Sequence, residues 1–332
     1  MPEPAPSSTL ERLRARSSSP FPPEPPRRHL LVSALFRLAQ RRRDALVTPH
    51  LFGGSDREKV LYEYERADEW WPFFAGAAGP DVLSGADVLD VGCGYGGKDI
   101  SYAERYGVRS ITGFDLPGFW DPEAAGAFAA ERGVGELCRF TSGYAEEMPF
   151  EDASFDVVLI EDVLEHVRRP DRVLAESARA LRAGGTLLAK FPSVRMLAAH
   201  HLDRAITWPG IHLVLPLRWW AAGLNHELAS GTSNADFEPF DEIVSTPYHP
   251  AVTRNLNGLG FSSFRELVRD NGFEVRHLEI VPMTIRPLSW WRRLALGTYR
   301  ALCRVPQLRE RLGVTIVFVG INRASSAPAP SA

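Results

Sequence analysis

The feature that most constrains the fold of this chain is a glycine-rich loop, Gly92-Cys-Gly-Tyr-Gly-Gly97, which directly follows the apolar run Asp87–Val91. A short apolar run before such a loop predicts a buried strand, and the pattern after it predicts a helix. Glycines let the backbone turn sharply and let a ligand approach main-chain atoms. The first turn of the following helix adds partial positive charge. The sequence therefore predicts a strand, loop and helix that bind a ligand together.

Predicted strands and helices alternate around this loop. The strands are expected at Asp87–Val91, Ser110–Phe114, Leu137–Thr141, Phe155–Ile160 and Thr186–Phe191, and the helices at Lys98–Tyr106, Pro122–Arg132 and Asp171–Arg182. The alternation resumes with a helix at Ser262–Asp270 and strands at Phe273–Val281 and Val314–Ile321. This order is typical of βαβ units, so a parallel sheet is expected.

Composition divides the rest of the chain. Residues 1–28 and 324–332 are rich in Pro, Ser and Ala and are predicted to be disordered tails. Residues 29–80 have helical spacing and predict a cap, with one helical stretch expected over Asp56–Phe74, before the ligand-binding core at 81–191. Residues 192–260 are too long and apolar for a plain connection and are interpreted as an insertion or lid. Residues 261–323 complete the sheet.

Charge and cysteine content exclude several classes of protein. The net charge of −3 gives no general attraction to nucleic acid. The three cysteines are dispersed, which indicates neither a disulfide framework nor a zinc site and fits a reducing, cytoplasmic location. No apolar run is long enough to span a membrane, although the pair Trp290-Trp291 beside arginines leaves peripheral membrane contact as an alternative.

Two cofactor classes are compatible with the loop alone. Gly92, Gly94 and Gly97 satisfy the dinucleotide pattern GxGxxG, which would indicate an NAD(P)-dependent oxidoreductase. Asp90 precedes the loop, where a carboxylate would repel a pyrophosphate but suits a cationic ligand. Asp115, at the end of the second predicted strand, can bind ribose hydroxyls in either case.

Several motifs in order resemble the class I S-adenosylmethionine (SAM)-dependent methyltransferases, especially their small-molecule branch. They are the loop Asp90–Gly96, Asp115, and the segments Ala145–Phe150, Ser154–Val158, Val163–Val167 and Leu181–Thr186. The resemblance implies a Rossmann-like three-layer α/β/α sandwich of about seven strands. It also implies SAM as the cofactor.

The resemblance also assigns roles to residues of this chain. The cofactor-binding set implied is Asp90, Gly92, Cys93, Gly94, Gly96, Asp115, Leu116, Tyr144, Ala145, Glu146 and Glu161. Asp90 and the glycines would line the methionine end, Asp115 the ribose and Leu116 the adenine. Family members commonly have Asp at the position of Tyr144, so the adenine amino group needs another partner here. The alternatives are Glu146, the main chain of Ala145 or the hydroxyl of Tyr144.

The candidates for chemistry are histidines and one acidic cluster. On a helix, Asp162, Glu165 and His166 would share a face and resemble the ExxEH cluster that binds a divalent ion in ubiquinone-pathway O-methyltransferases. No metal is expected, because the more ordinary role of His166 is a hydrogen bond at the edge of the sheet. Five histidines in 192–260 are further candidate bases: His200, His201, His212, His226 and His249. His200 and His201 are favoured because they follow the fifth strand.

These observations predict a SAM-dependent methyltransferase that acts on a small, apolar or aromatic molecule. Oxygen is the expected acceptor atom because candidate bases are plentiful. The alternatives are an NAD(P)-dependent oxidoreductase and a non-catalytic SAM-fold binding protein. The sequence leaves the acceptor and the oligomeric state open.

Overall fold

A computed structural model describes residues 55–118, 120–196, 243–244, 246–249, 252–253, 256–282 and 297–323. Both predicted tails, the first half of the predicted cap, most of the 192–260 insertion and the pair Trp290-Trp291 lie outside these residues. His200, His201, His212 and His226 lie outside them as well.

A seven-stranded sheet with the order β3-β2-β1-β4-β5-β9-β8 forms the framework. Its strands are β1 (Asp87–Val91), β2 (Ser110–Asp115), β3 (Cys138–Ser142), β4 (Phe155–Glu161), β5 (Leu181–Phe191), β8 (Phe273–Pro282) and β9 (Gly313–Asn322). Strands β1 to β5 pair in parallel, and β9 runs antiparallel to β5. The predicted Rossmann-like fold of about seven strands is confirmed.

Helices precede the sheet strands and alternate with them along the chain. They are α1 (Asp56–Arg66), α2 (Trp71–Ala78), α3 (Gly97–Arg105), α4 (Pro122–Glu131), α5 (Pro170–Ala180), α6 (Phe261–Asp270) and α7 (Pro306–Leu312). Helix α1 begins in a capping box, in which the Ser55 hydroxyl accepts from the Glu58 amide and the Glu58 carboxylate accepts from the Ser55 amide.

Two predicted boundaries were wrong. The single helical stretch expected over Asp56–Phe74 is broken by a 3₁₀ turn at Ala67–Glu69, so it forms two helices. Helix α5 ends at Ala180 rather than Arg182, because Leu181 already pairs with Phe155 in the sheet. The register shifts between Phe155 and Val157, which admits the glycine turn of β5.

The core explains why β1 was easy to predict. Val88, Leu89 and Val91 are fully buried, as expected for a central parallel strand covered on both faces. Ile111 of β2 and Leu159 of β4 flank it, also fully buried. Burial on both faces fixes the position of the loop that follows β1.

The chain divides into two compact units. One comprises residues 48–191, 265–279 and 316–332, and contains every residue of the site described below. The other comprises residues 1–47, 192–264 and 280–315. In this second unit the short strands β6 (Ile243–Val244) and β7 (Val252–Thr253) pair, and Glu310 accepts hydrogen bonds from the Ser193 hydroxyl and the Phe261 amide. None of the described helices is long and apolar enough to cross a membrane.

Candidate functional site

The loop after β1 needs glycine at specific positions. Gly92 and Gly94 have φ of +79° and +64°, in the left-handed region that favours glycine. A Cβ on Gly92 would lie 2.0 Å from Val163 Cγ2, and one on Gly94 would lie 2.4 Å from Glu63 Oε1. The predicted tight turn at the carboxyl end of β1 is therefore present, with protein atoms packed closely against it.

Asp115, at the carboxyl end of β2, is tied to this loop. Its carboxylate accepts hydrogen bonds from the Gly94 amide at 2.8 Å and from the Leu116 amide at 2.6 Å. Burial raises the pKa of Asp115, and the two amide bonds and Lys98 act in the opposite direction. The carboxylate keeps lone pairs for further donors, so it can accept from ribose hydroxyls.

An apolar surface lies beside Asp115. Leu116 is 47% exposed and Tyr144 is 64% exposed. The Gly143 amide donates to the Asp115 carbonyl at 3.0 Å, which places Tyr144 next to the end of β2. Two other residues were predicted as partners of the adenine amino group. Ala145 is buried, and the Glu146 carboxylate already accepts a hydrogen bond from the Arg168 amide at 3.1 Å.

Asp90 and Asp99 form a buried acidic pair beneath the loop. Both are fully buried, and apart from each other their carboxyl groups have no hydrogen-bond partner among the described residues. The pKa of Asp90 is raised to about 6. Burial is the main cause, Glu161 and Asp115 also raise the pKa, and Lys98 lowers it. Burial and Asp90 raise the pKa of Asp99 well above its ordinary value. Two adjacent carboxyl groups cannot both ionise easily, so the pair holds a proton.

Lys98, in the first turn of α3, faces several of these carboxylates. Its Nζ lies 3.5 Å from Glu161 Oε2 at the end of β4. Burial alone would lower the pKa of Lys98, but the carboxylates of Glu161, Asp90 and Glu63 raise it overall. The Tyr102 hydroxyl lies 3.3 Å from Glu161 Oε1, so Glu161 is held from two sides.

Asp162 follows Glu161 in a strained conformation. Its φ is +56°, which is uncommon for a residue other than glycine and frequent at functional sites. Lys190 of β5 holds it twice, because the Asp162 amide donates to the Lys190 carbonyl at 2.7 Å and the ammonium group pairs with the Asp162 carboxylate. Lys190 Nζ also lies 4.9 Å above the Trp70 ring.

The expected helical face of Asp162, Glu165 and His166 was wrong. These residues lie in a turn, because the left-handed Asp162 ends β4 and α5 begins only at Pro170. Glu165 is buried, whereas the His166 side chain is 43% exposed, with His166 Nε2 3.8 Å from Glu165 Oε1. No group of three or more His, Cys, Asp or Glu side chains in the described part of the chain is arranged to hold a metal ion.

Several predicted site residues converge, and others do not. Asp90, Gly92, Gly94, Asp115 and Glu161 come together at the carboxyl edge of β1, β2 and β4. Gly96 joins them as the left-handed residue before α3. Cys93 is fully buried, and burial raises the pKa of its thiol, so it contributes backbone rather than a nucleophile.

Sequence reasoning missed Glu63, Lys98 and Lys190 at this site. Lys190 had a signal, since it is the one charge in the apolar run Leu187-Leu-Ala-Lys-Phe191. Lys98 had a weaker one, because it follows the glycine loop directly. Glu63 had none, because its partner Tyr95 lies 32 residues away in the sequence.

The residues present fit a cationic ligand. The carboxylates of Asp90, Asp115 and Glu161 interact with one another at this edge, and Lys98 is the cation that opposes them. A group with positive charge lowers the cost of burying these carboxylates, whereas a pyrophosphate would add to the repulsion. The clearest sign of this preference is that the carboxyl group of Asp90 has no partner but Asp99 among the described residues.

Comparison with known proteins agrees with this geometry. Residues 89–189 match the family described as a methyltransferase domain. A phthiotriol/phenolphthiotriol dimycocerosates methyltransferase of Mycobacterium ulcerans is 40% identical over 115 residues, which are 32% of this chain and 37% of that protein. A sarcosine/dimethylglycine N-methyltransferase of Halorhodospira halochloris is 31% identical over 137 residues, 41% and 47% of the two chains. A sterol 4-C-methyltransferase of Caenorhabditis elegans is 28% identical over 142 residues, 40% and 42%.

These matches confirm the resemblance that the motifs carry. The chain spans less than half of the length of each of these three relatives. The family match at residues 89–189 covers the glycine loop and reaches from β1 into β5, and the relatives' activities belong to longer matched proteins.

Proposed function

We propose that this chain, whose residues 89–189 match a methyltransferase domain, is a class I SAM-dependent enzyme that transfers a methyl group from SAM to a small molecule. The observation that supports this most is Asp90, fully buried beside the loop with no hydrogen-bond partner outside its pair with Asp99 among the described residues. A sulfonium nucleoside would add positive charge to an edge where carboxyl groups outnumber the cations Lys98 and Lys190.

The residues of the chain bind and orient in this mechanism. SAM, when bound, supplies a methyl group made electrophilic by its positively charged sulfur. Gly92 and Gly94 leave the backbone accessible, and Asp90 and Glu161 supply negative charge at the methionine end. Asp115 accepts from ribose hydroxyls, and Leu116 and Tyr144 cover the adenine. Rate enhancement then comes from alignment of donor and acceptor with water excluded.

The acceptor we propose is a small apolar or aromatic molecule. The aromatic and aliphatic content of residues 192–260 favours it, and so do the names of two relatives, which act on a sterol and on phthiotriol dimycocerosates. We keep oxygen as the acceptor atom, with His200, His201 or His166 as the base that removes its proton. The names of two relatives specify carbon and nitrogen, so the atom needs a direct test.

The test uses the full chain, SAM with a ¹³C-labelled methyl group, and a panel of phenols, sterols, hydroxylated lipids and amines. Carbon NMR of the product distinguishes methyl groups on oxygen, nitrogen and carbon. We expect a methoxyl product, and an N-methyl or C-methyl product would contradict the oxygen assignment. SAM binding without transfer to the panel or to fractionated cell extract would favour the non-catalytic alternative.

Metal dependence has a separate test. Since Asp162, Glu165 and His166 do not share a helical face, we expect transfer to continue in excess EDTA. Loss of activity in EDTA that is restored by a divalent ion would contradict this expectation. His166→Ala, compared with His277→Ala on β8, tests the exposed histidine as a base.

A further inference from the structure

Glu63 lies at the glycine loop although it comes from α1, outside the matched domain. Its Oε2 accepts hydrogen bonds from the Tyr95 amide at 2.9 Å and from the Gly97 amide at 3.2 Å. Its Oε1 lies 3.1 Å from the same Tyr95 nitrogen. One carboxylate therefore joins the middle of the loop to the first residue of α3.

The packing around this carboxylate is close. A Cβ on Gly94 would lie 2.4 Å from Glu63 Oε1, and a Cβ on Gly97 would lie 2.1 Å from the Val60 carbonyl oxygen and 2.7 Å from Glu63 Cβ. Real side-chain atoms do not tolerate such distances, so glycine at these two positions is what admits α1. The glycine loop has a second use here, since it accommodates α1 as well as a ligand.

The contacts also change which ligand the loop prefers. Free amides at a helix start usually attract an anion. Here Glu63 occupies the amides of Tyr95 and Gly97, so the loop presents a carboxylate in place of two donors. Lys98 of α3 and Asp90 of β1 interact electrostatically with Glu63, and so do Asp99 and Cys93.

We propose that Glu63 is a positioning residue for the cofactor, which holds the glycine loop in its binding conformation and favours a positively charged ligand there. This inference rests on the proposed function, because the ligand is taken to be SAM. Helix α1, which belongs to the predicted cap, then has a role in cofactor binding.

The charge of Glu63 changes near neutral pH. The pKa of Glu63 is raised to about 7. Burial is the main cause and Asp90 a smaller one, while Lys98 and the two amides lower the pKa. Below this pH the protonated carboxyl accepts the amide bonds less strongly and carries no charge. The contribution of Glu63 to cofactor binding is therefore present above pH 7 and lost as the pH falls.

Calorimetric titration of SAM into the wild type and Glu63→Gln tests the proposal, because glutamine resembles the protonated glutamate in shape and charge. We expect the variant to bind SAM about tenfold more weakly at pH 8 and nearly as well as the wild type at pH 6. The amino group of SAM itself titrates at about pH 8, so the ratio of the two dissociation constants is compared at each pH. Glu65→Gln, exposed on the same helix, is the matched control and should leave the ratio at one.

The possible results distinguish failure of the role proposed for Glu63 from failure of SAM binding itself. A ratio that is the same at both pH values indicates a merely structural contact and overturns the proposal, as does equal or tighter binding by Glu63→Gln at pH 8. If Glu63→Gln melts well below the wild type, Glu63→Asp provides the test, and its affinity must fall at pH 8. Failure of the wild type to bind SAM would instead overturn the proposed function itself.

Discussion

Two aspartates on the same strand have opposite surroundings. Asp87 begins β1 and Asp90 lies near its end. Arg109 and Ser110, with Arg182, bind the Asp87 carboxylate, and Arg109 above all holds its pKa well below the ordinary value. Among the described residues no arginine binds Asp90, and burial raises its pKa.

The contrast extends to the two edges of the sheet. At the amino edge, where the parallel strands begin, Arg109 and Arg182 each bind both Asp87 and Asp156. The distance from each arginine nitrogen to the Asp156 oxygen is 2.7 Å. At the carboxyl edge, the carboxyl groups of Asp90, Asp99 and Glu165 are buried, and no arginine in the described part of the chain binds them; Lys98 acts electrostatically on the two aspartates and Lys190 on Glu165. The amino edge is arranged for stability, and the carboxyl edge keeps repulsion that a cationic ligand can relieve.

Of the variants that test this comparison, Asp90→Asn should have the largest effect on SAM affinity. We expect SAM to bind at least about 30-fold more weakly, since removal of one partner of a buried charge pair costs about 2–5 kcal/mol. Calorimetric titration measures the loss, and urea unfolding should show no loss of stability without ligand. Affinity within threefold of the wild type would contradict the role of Asp90.

Asp87→Asn is the matched control on the same strand. We expect the free energy of unfolding to fall by about 1–3 kcal/mol, because three donors lose a charged acceptor. SAM affinity should stay within about twofold of the wild type, since Asp87 begins β1 and the glycine loop follows the other end of that strand. Unchanged stability, or a large loss of affinity, would remove the distinction between the edges.

The pH dependence of stability should have opposite signs for the two aspartates. The folded pKa of Asp90 is raised, so its stabilisation is present below its ordinary value of 3.8 and is lost as the pH rises through about 6. The folded pKa of Asp87 is lowered, so its stabilisation is present above the ordinary value and is lost as the pH falls below it. From pH 4 to 7, Asp90→Asn should gain about 1–3 kcal/mol relative to the wild type in urea unfolding. A constant difference would show that Asp90 does not titrate there.

Tyr144→Ala should give the smallest effect. Loss of an exposed aromatic surface beside the nucleoside should weaken SAM binding about fivefold, as for a single stacking contact. Tyr144→Phe keeps that surface and should stay within about twofold, because the stacking and not the hydroxyl carries the contact. Equal losses in both variants would assign the adenine contact to the hydroxyl.

The sequence predicted the sheet and the loop better than the side-chain environment. Strand β1 was placed with both ends correct, because a doubly buried strand before glycines has a strong local pattern. The turn at Asp162 was predicted as a helix, because its left-handed backbone depends on Lys190, 28 residues further along the chain. Glu63 was missed for the same reason, and Asp87 and Asp90 differ only through neighbours that the fold supplies.

Titration of the purified full chain with SAM and, separately, with NADH tests the central claim most directly. The acidic carboxyl edge predicts saturable binding of SAM and no saturable binding of NADH under the same conditions. Saturation by NADH, with no heat from SAM, would contradict the account.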